Sequence, residues 1–326
     1  MLRIYTGRNG HLAPIDTIAD AGPAGVFWFD LLNPTADEAK LIEAYLGIGI
    51  PTLDEMAEIE PSARLYEEDD AQFMTMTAVA NVDGDEPVKL PITFIVKGPT
   101  LVTVRHADPK PFRLYAAKAQ RSGGIAPLSS GEAVMYDLLE MLTDRMADTL
   151  EQIGEEADTI SREVFMNKST SASKKTRDLQ SLIERIGSKG DLLTKVRESL
   201  VSTSRLVAYH SARRSPRAPK DIQQRIKLVQ RDAASLGDHA IFLSAKINFL
   251  LDATLGLINL EQNQIIKIFS VAAVALLPPT LVASVYGMNF DIMPELHWTF
   301  GYPWALGLMA ASAIIPYLYF KRRGWL

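Results

Sequence analysis

Two runs without a formal charge dominate the C-terminal end of the chain, Ile268 to Phe290 and Trp298 to Phe320, each 23 residues long. A helix needs about 20 apolar residues to cross a bilayer. The core helices of soluble proteins rarely stay uncharged for so long, and this pair carries anchors at its ends. The runs therefore predict two membrane-spanning helices. Lys267 precedes the first; Lys321, Arg322 and Arg323 follow the second; the loop between them holds Asp291 and Glu295 and no basic residue. Positive charge stays on the cytoplasmic side of a membrane, so both termini of this multi-pass chain are expected there. Aromatic residues support the same frame: Trp298, Phe300, Tyr302 and Trp304 cluster at the outer end, and Tyr317, Tyr319, Phe320 and Trp325 at the inner end. Such residues prefer the headgroup level of a bilayer.

The remainder is charged throughout, to about residue 262. A formal net charge of −5 over 326 residues argues against nucleic acid as a partner. The chain has no cysteine, which excludes disulfides and thiolate metal sites. The opening stretch MLRIYTGRNGHLAPIDT lacks an apolar core, so no cleavable signal peptide is expected.

The fold class expected is an α+β membrane protein. A cytoplasmic α/β domain covers 1–128, and long cytoplasmic helices follow over 129–216. A stalk helix continues into the first membrane helix over 217–290, an external loop spans 291–299, the second membrane helix 300–320, and a basic tail 321–326. In the first domain GVFWFDL reads as a strand. NPTADEAKLIEAYLGI reads as a helix with acidic residues in its first turn and Pro51 ending it nearby. RLYEEDDAQFMTMTAVANV and LPITFIVKGPTLVTVRH supply strand-rich runs, the second folded into a hairpin at Gly98-Pro99, and PKPFRLYAAKAQRSGG a short helix. The acidic clusters YEEDDAQ and DGDE fit solvated hairpin turns better than cation sites.

From Ser130 the period changes. Apolar residues recur at Val134, Leu138, Leu142, Met146, Leu150, Ile153, Ala157, Ile160 and Val164, the spacing of one helical face. NKSTSAS breaks that helix, a second runs from about Ser173 to Ala212, and RRSPRAP marks the next turn. In the third segment Ile222, Ile226, Val229, Ala233, Leu236, Ala240, Leu243, Ile247, Leu250, Thr254 and Leu257 alternate spacings of four and three. Consecutive heptads predict a long helix packed against others. If unbroken from Arg217 to Gly287 it measures about 105 Å. The competing reading places a hinge near TLGLINLEQN, but Gly256 alone costs only about 1 kcal/mol.

Two membrane helices enclose no pore; several copies do, with one helix from each around the axis. One face of the first span carries Asn263, Ile266, Ser270, Ala273, Leu277, Thr280, Ser284 and Gly287. Small and hydroxyl residues on one face mean either close helix packing or a wet lining, and spacing alone favours packing. Pro278 and Pro279 remove backbone donors from the same span and are expected to kink it.

The segment ends in YGMNF, followed by MPEL and GYPWA, with YFKRRGWL at the C-terminus. Together, over about Asn263 to Leu326, these residues resemble the CorA family of magnesium channels. The tripeptide Gly-Met-Asn alone is weak; at the outer end of the penultimate membrane helix, before Met-Pro-Glu-Leu, it is specific. The resemblance implies a homopentameric funnel in the lipid bilayer, with the first span lining a central pore. It implies a selectivity filter at Gly287, Met288 and Asn289, ion-permeation residues at Asn263 and Thr280, and a hydrophobic gate at Ile266, Phe269 and Leu277. The ion implied is Mg²⁺, with Co²⁺ and Ni²⁺ also passing, and no cofactor. Mg²⁺ also serves the family as a regulatory ion at acidic sites between cytoplasmic domains. Leu228 stands at one such acidic position, which leaves Asp232, Asp238 and Asp252 as substitutes.

The filter chemistry has a physical basis. Mg²⁺ demands octahedral geometry and dehydrates reluctantly. A ring of Asn289 amides can hydrogen-bond the hydrated ion without trapping it. Asp291 and Glu295 would concentrate cations outside the mouth. GSKGD lacks the spacing of a phosphate-binding loop, so entry is expected to be driven by membrane potential. The basic tail serves either as a membrane anchor or, repeated in an oligomer, as a barrier to cations at the inner mouth.

Two rival readings remain. A zinc transporter of the same superfamily is expected to replace the methionine that this chain keeps at Met288. A membrane-anchored sensor would use the helices without conducting. An enzyme is not expected, because His11, His106, His210, His239 and His297 are scattered without ligand spacing or a nucleophile motif.

Overall fold

Seven strands form one sheet at the N-terminal end: β1 (Leu2–Arg8), β2 (His11–Ile15), β3 (Val26–Leu32), β4 (Leu65–Glu68), β5 (Ala71–Ala80), β6 (Val88–Lys97) and β7 (Thr100–Arg105). The computed structural model of the chain describes residues 1–8, 11–82, 84, 86–120, 130–166, 172–213, 220–289 and 293–324. The strand order is β2-β1-β3-β7-β6-β5-β4. Only β3 and β7 pair in parallel; the other neighbours are antiparallel.

Strand alternation divides the core between the two faces of this sheet. Trp28 and Phe29 are adjacent and both fully buried, yet they belong to different clusters. Phe29 packs with Leu31, Ile42, Met56 and Phe73, the side covered by α1 (Ala36–Leu46) and α2 (Leu53–Ala57). Trp28 packs with Phe94, Phe112, Tyr115, Tyr136 and Leu139, the side covered by α4 (Lys110–Ala119) and α5 (Gly131–Met166). A four-residue helix, α3 (Pro61–Arg64), leads into β4.

Local chemistry sets the boundaries. Thr35 caps α1 through a capping box with Glu38. The helix stops at Leu46 because Gly47 takes the left-handed conformation, φ 64°, and donates its N–H to Glu43 O at 2.7 Å. Gly47, rather than Pro51, is thus the terminator. Asp69 and Asp70 form the two-residue β4–β5 turn with φ of 51° and 60°, an acidic pair placed there by turn geometry. Gly98-Pro99 closes the β6–β7 hairpin as expected. DGDE contains positions 83 and 85, outside the described residues. The strands β1 and β2, with Pro14 in the edge strand, have no counterpart among the expected elements.

Where the parallel strands meet, Arg105 is fully buried and Asp30 1% exposed. The guanidinium donates from Nε and Nη2 to the two Asp30 oxygens, both at 2.8 Å. Its Nη1 donates to Ala107 O at 2.9 Å and Asp108 Oδ1 at 2.6 Å, and the cation lies 4.6 Å from the Phe112 ring centre. Such a charge is tolerated because each guanidinium nitrogen donates and a carboxylate pairs with it. Gly131 begins α5 against this sheet; a Cβ there would meet Leu101 N at 2.3 Å.

Three long helices follow: α5, α6 (Ala172–Arg213) and α7 (Lys220–Tyr286), of 36, 42 and 67 residues. All nine stripe positions of α5, from Val134 to Val164, are buried. Of the eleven heptad positions in α7, nine are buried, Leu236 and Leu257 being the partly exposed ones. The helix is unbroken through Gly256 and through Pro278-Pro279, about 100 Å by its residue count. It starts at Lys220; Arg217 and most of RRSPRAP lie outside the described residues. A 3₁₀ turn, Pro294–His297, precedes α8 (Gly301–Arg322).

The chain divides into two compact units, Met1–Lys168 with Ser181–Leu250, and Ser169–Gln180 with Leu251–Leu326.

Candidate functional site

In the second unit the apolar side chains have few partners within the chain. Ile266 is 60% exposed, Phe269 71% and Leu277 66%. Asn263, Ser270, Ala273, Thr280 and Ser284 on the same stripe are exposed as well. A folded soluble chain would not leave such a face to water. A face of small, hydroxyl and bulky apolar residues, with Lys267 off it, suits contact with other copies of the helix or a narrow lumen.

The hydroxyl of Thr280 has a defined role. It donates to Leu276 O at 2.8 Å. Its hydrogen is therefore spent inside the helix, and its lone pairs face outward as acceptors. Pro278 and Pro279, just before it, withhold the donors that would otherwise serve Val274 O and Ala275 O. One exposed hydroxyl acceptor and two carbonyls without helical donors thus lie within one turn of each other, in an otherwise apolar span.

The end of α7 is the second polar point. Gly287 N donates to Ala283 O at 3.0 Å, and Met288 N to Val285 O at 3.3 Å, so the last turn tightens before Asn289. No basic residue stands in that turn. The negative end of the helix dipole is left without a positive partner from its own last turn, a setting that favours a cation. A Cβ on Gly287 would come within 3.1 Å of Ala283 O, a close approach that a side chain there would have to relieve. Gly287, Met288 and Asn289 are all exposed, Met288 by 50%. Of the acidic loop, Glu295 sits in the 3₁₀ turn Pro294–His297, and Asp291 lies outside the described residues.

The carboxylates proposed for regulation are not gathered by α7. Asp232, Asp238 and Asp252 lie up to 20 residues apart along that helix, about 30 Å by rise. Asp232 is paired with Arg231 Nε at 3.3 Å. Asp238 and Asp252 are exposed. Among the described residues no group of three or more His, Asp or Glu is arranged to hold a metal ion. One acidic neighbourhood does include Asp232: burial, with Glu140, Asp148 and Asp232 nearby, pushes the Asp144 carboxyl above its ordinary range, opposed by Lys118.

Sequence reasoning missed the polar set that holds the start of α7. Arg225 donates from Nε and Nη2 to Glu140 at 2.9 and 3.0 Å, and also to Asp137. Tyr115 OH donates to Asp137 Oδ2 at 2.9 Å. Burial alone would lower the Arg225 pKa, but the bonds and charges of Glu140 and Asp137 hold it above its ordinary value. Burial, with Asp137 beside it, pushes the Tyr115 hydroxyl well up. The only sequence signal was a charged residue adjoining a heptad position, which is common on any solvated helix.

An α/β unit on one chain with two helices long and apolar enough to cross a membrane, the first ending in an exposed Gly-Met-Asn, defines a two-span membrane protein with a polar helix mouth. The family model described as "CorA-like Mg2+ transporter protein" matches residues 23–322. The "Magnesium transport protein CorA" of Pasteurella multocida is 36% identical over 326 residues, 100% of each chain. That of Haemophilus influenzae strain KW20 is 38% identical over 299 residues, 92% of each. The solved structure of the CorA magnesium transporter from Methanocaldococcus jannaschii is similar with TM-score 0.78 and 19% identity, covering 100% of this chain and 99% of that one. At that identity the likeness concerns the fold. This chain belongs to the CorA family.

Proposed function

We propose that this protein is a Mg²⁺ influx channel of the bacterial inner membrane. The observation that carries the reading is the Gly-Met-Asn end of an unbroken α7 in a chain of this family. Its relatives at 36% and 38% identity carry the name of magnesium transport proteins. Five copies place one α7 each around the axis, with α8 as an outer ring and both termini in the cytoplasm. Exposure of the whole stripe from Asn263 to Ser284 in one chain is consistent with that assembly.

The geometry supports a pathway for a hydrated ion. At the outer mouth, Asn289 amides, Gly287 carbonyls and the negative helix ends hold Mg²⁺ through its water shell. Neutral dipoles bind weakly enough for release. Thr280 offers an oxygen acceptor midway, and Asn263 an amide at the inner end. Ile266, Phe269 and Leu277 form the apolar constriction between them. Potential drives entry at about 4.6 kcal/mol per 100 mV for a divalent ion, twice the single-charge figure. Co²⁺ and Ni²⁺, as hydrated divalent ions, pass by the same route. Intracellular Mg²⁺ closes the channel by bridging carboxylates of neighbouring copies, with Asp232, which stands near Asp144, as the leading candidate.

Proteoliposomes containing only this protein test the reading. Mg²⁺ influx should follow an imposed inside-negative potential. A zinc flux without magnesium flux, or no flux from correctly assembled protein, would overturn it.

A further inference from the structure

Within the first unit, a groove of about 720 Å³ opens between the β4–β5–β6 edge of the sheet, α3 and α6. Pockets of this size accommodate small organic ligands. Four cationic side chains line it, Arg64, Lys89, Arg197 and Arg205, against one carboxylate, Glu198. Lys89 Nζ already engages that carboxylate at 2.6 Å. Among the described residues, Arg197 and Arg205 have no ion-pair partner. The lining therefore carries a net charge of about +3 in a chain whose formal net charge is −5.

The cations are arranged rather than scattered. Arg197, Val201 and Arg205 are spaced by four along α6 and present one face to the groove. Ser202, next on that helix, accepts a hydrogen bond from Thr77 N at 2.9 Å and so pins α6 to β5. Across the groove, Arg64 donates from Nη1 to Thr77 Oγ1 at 3.0 Å and from Nε to Glu58 O at 2.5 Å. That guanidinium is held in place with donors still unused, the preorganised fork suited to phosphate oxygens. Apolar groups stand among the cations: Val201, 41% exposed, lies between Arg197 and Arg205, Leu90 and Pro91 follow Lys89, and Ile59, 89% exposed, lies on the same side as Arg64.

We propose that this groove binds a phosphorylated organic anion of the nucleoside di- or triphosphate class. The cations take the phosphates, and the aliphatic groups between them cover the nucleoside. An inorganic phosphate would leave those apolar groups unused. The charge of a nucleoside triphosphate matches the excess of cations in the lining. The site lies in the first unit and uses none of the residues assigned to ion passage, so it stands or falls independently of the transport reading.

The probe is ATP, measured by equilibrium dialysis against the full-length, detergent-solubilised protein in EDTA, so that metal bridging cannot mediate binding. Saturable binding at one site per chain is expected, with inorganic triphosphate competing and adenosine competing poorly. Arg197→Ala and Arg205→Ala should each weaken it about tenfold or more, the loss of a charge-assisted contact. Arg197→Lys should weaken it less. Both arginines are exposed, and the Val201→Glu variant provides a second route, since it places a repelling carboxylate in the groove from an exposed position. Mg²⁺ flux without nucleotide should be unchanged in all four variants. Absence of saturable binding, or equal affinity in the alanine and glutamate variants, overturns the proposal. So does displacement of ATP by sulfate at equal ionic strength, which reveals a simple charged patch. Binding of vesicles rich in phosphatidic acid by a protein that ignores ATP also overturns it.

Discussion

Arg225 donates from Nε to Glu140 Oε1 at 2.9 Å, joining the first turns of α7 to the N-terminal third of α5. The same guanidinium reaches Asp137, which in turn accepts from Tyr115 of α4. Arg225 is 24% exposed and Asp137 11%. The helix that ends in Gly-Met-Asn is therefore fixed at its start by a charged set as well as by its heptad face. Replacing Arg225 by methionine keeps the stem and strands two carboxylates. The loss should be about 2–3 kcal/mol, below the 3–5 kcal/mol of a fully buried pair because water still reaches this one. Thermal unfolding should show a lower midpoint. Adding Asp137→Asn and Glu140→Gln should restore part of it, since the stranded charges are then gone. An Arg225→Met midpoint equal to that of the parent would mean that apolar packing alone holds the base of α7.

Acid should weaken the N-terminal unit through its capping boxes. Glu38 accepts from the Met1 ammonium at 2.8 Å and from Thr35 N at 2.9 Å. The ammonium, then the Thr35 and Leu2 amides, hold its carboxyl below the usual range. Glu55 is likewise held low, by the Thr52 amide and hydroxyl. A depressed folded-state pKa means that the folded state binds fewer protons. This contribution is present above the ordinary glutamate range and is lost as pH falls through the lowered value. Between pH 6 and about pH 3 the melting point of Glu38→Gln should fall less steeply than that of the parent. Parallel curves would remove Glu38 from the acid response.

Much of this architecture was legible in the chain because it rests on periods. Val134 to Val164 and Ile222 to Leu250 keep helical spacing, and the structure buries every α5 position of that stripe. The two charge-free runs were legible for the same reason: length and composition alone mark them. What escaped has no period. The strand β2 contains Pro14 and runs for only five residues. The stop of α1 depended on the positive φ of Gly47, while Pro51 drew attention as the stronger local breaker. Arg225 meets Glu140 from 85 positions away, and Arg64 meets Thr77 on a groove wall shared with α6. Such meetings follow from tertiary packing, which spacing does not encode.

Asn289→Ala should abolish Mg²⁺ uptake in proteoliposomes while the oligomer stays assembled. Asn289 is exposed just beyond the tightened last turn of α7, so its truncation costs little packing. What it removes is the amide ring that would hold the hydrated ion at the mouth. Normal uptake by an assembled variant would take Asn289 out of the filter.

Asn263→Ala should change conductance and ion preference without abolishing passage. The amide is exposed on α7, about one turn before the charge-free run, where an ion leaving the narrow region would rehydrate. Single-channel conductance and selectivity equal to the parent's would leave helix packing as its role.

The apolar ring gives the most demanding prediction. Ile266, Phe269 and Leu277 are 60%, 71% and 66% exposed in a single chain. Five copies around an axis would bring these bulky groups together. A narrow apolar ring excludes water, and a hydrated divalent ion does not cross a dry gap. In the gating scheme, high internal Mg²⁺ bridges carboxylates between copies and keeps the ring narrow. When Mg²⁺ falls, like charges repel, the copies loosen and the ring wets. Leu277→Ser should therefore leak at high internal Mg²⁺, because one hydroxyl per subunit lowers the cost of water in the gap. Asp232→Asn should instead weaken inhibition by internal Mg²⁺ and leave the order of preference among Mg²⁺, Co²⁺ and Ni²⁺ intact, since it lies far from the filter along α7. The two classes of variant separate the barrier from its control. If Leu277→Ser, Ile266→Ser and Phe269→Ser channels all close as tightly as the parent, the barrier lies elsewhere along α7, and hydrophobic gating at this level fails.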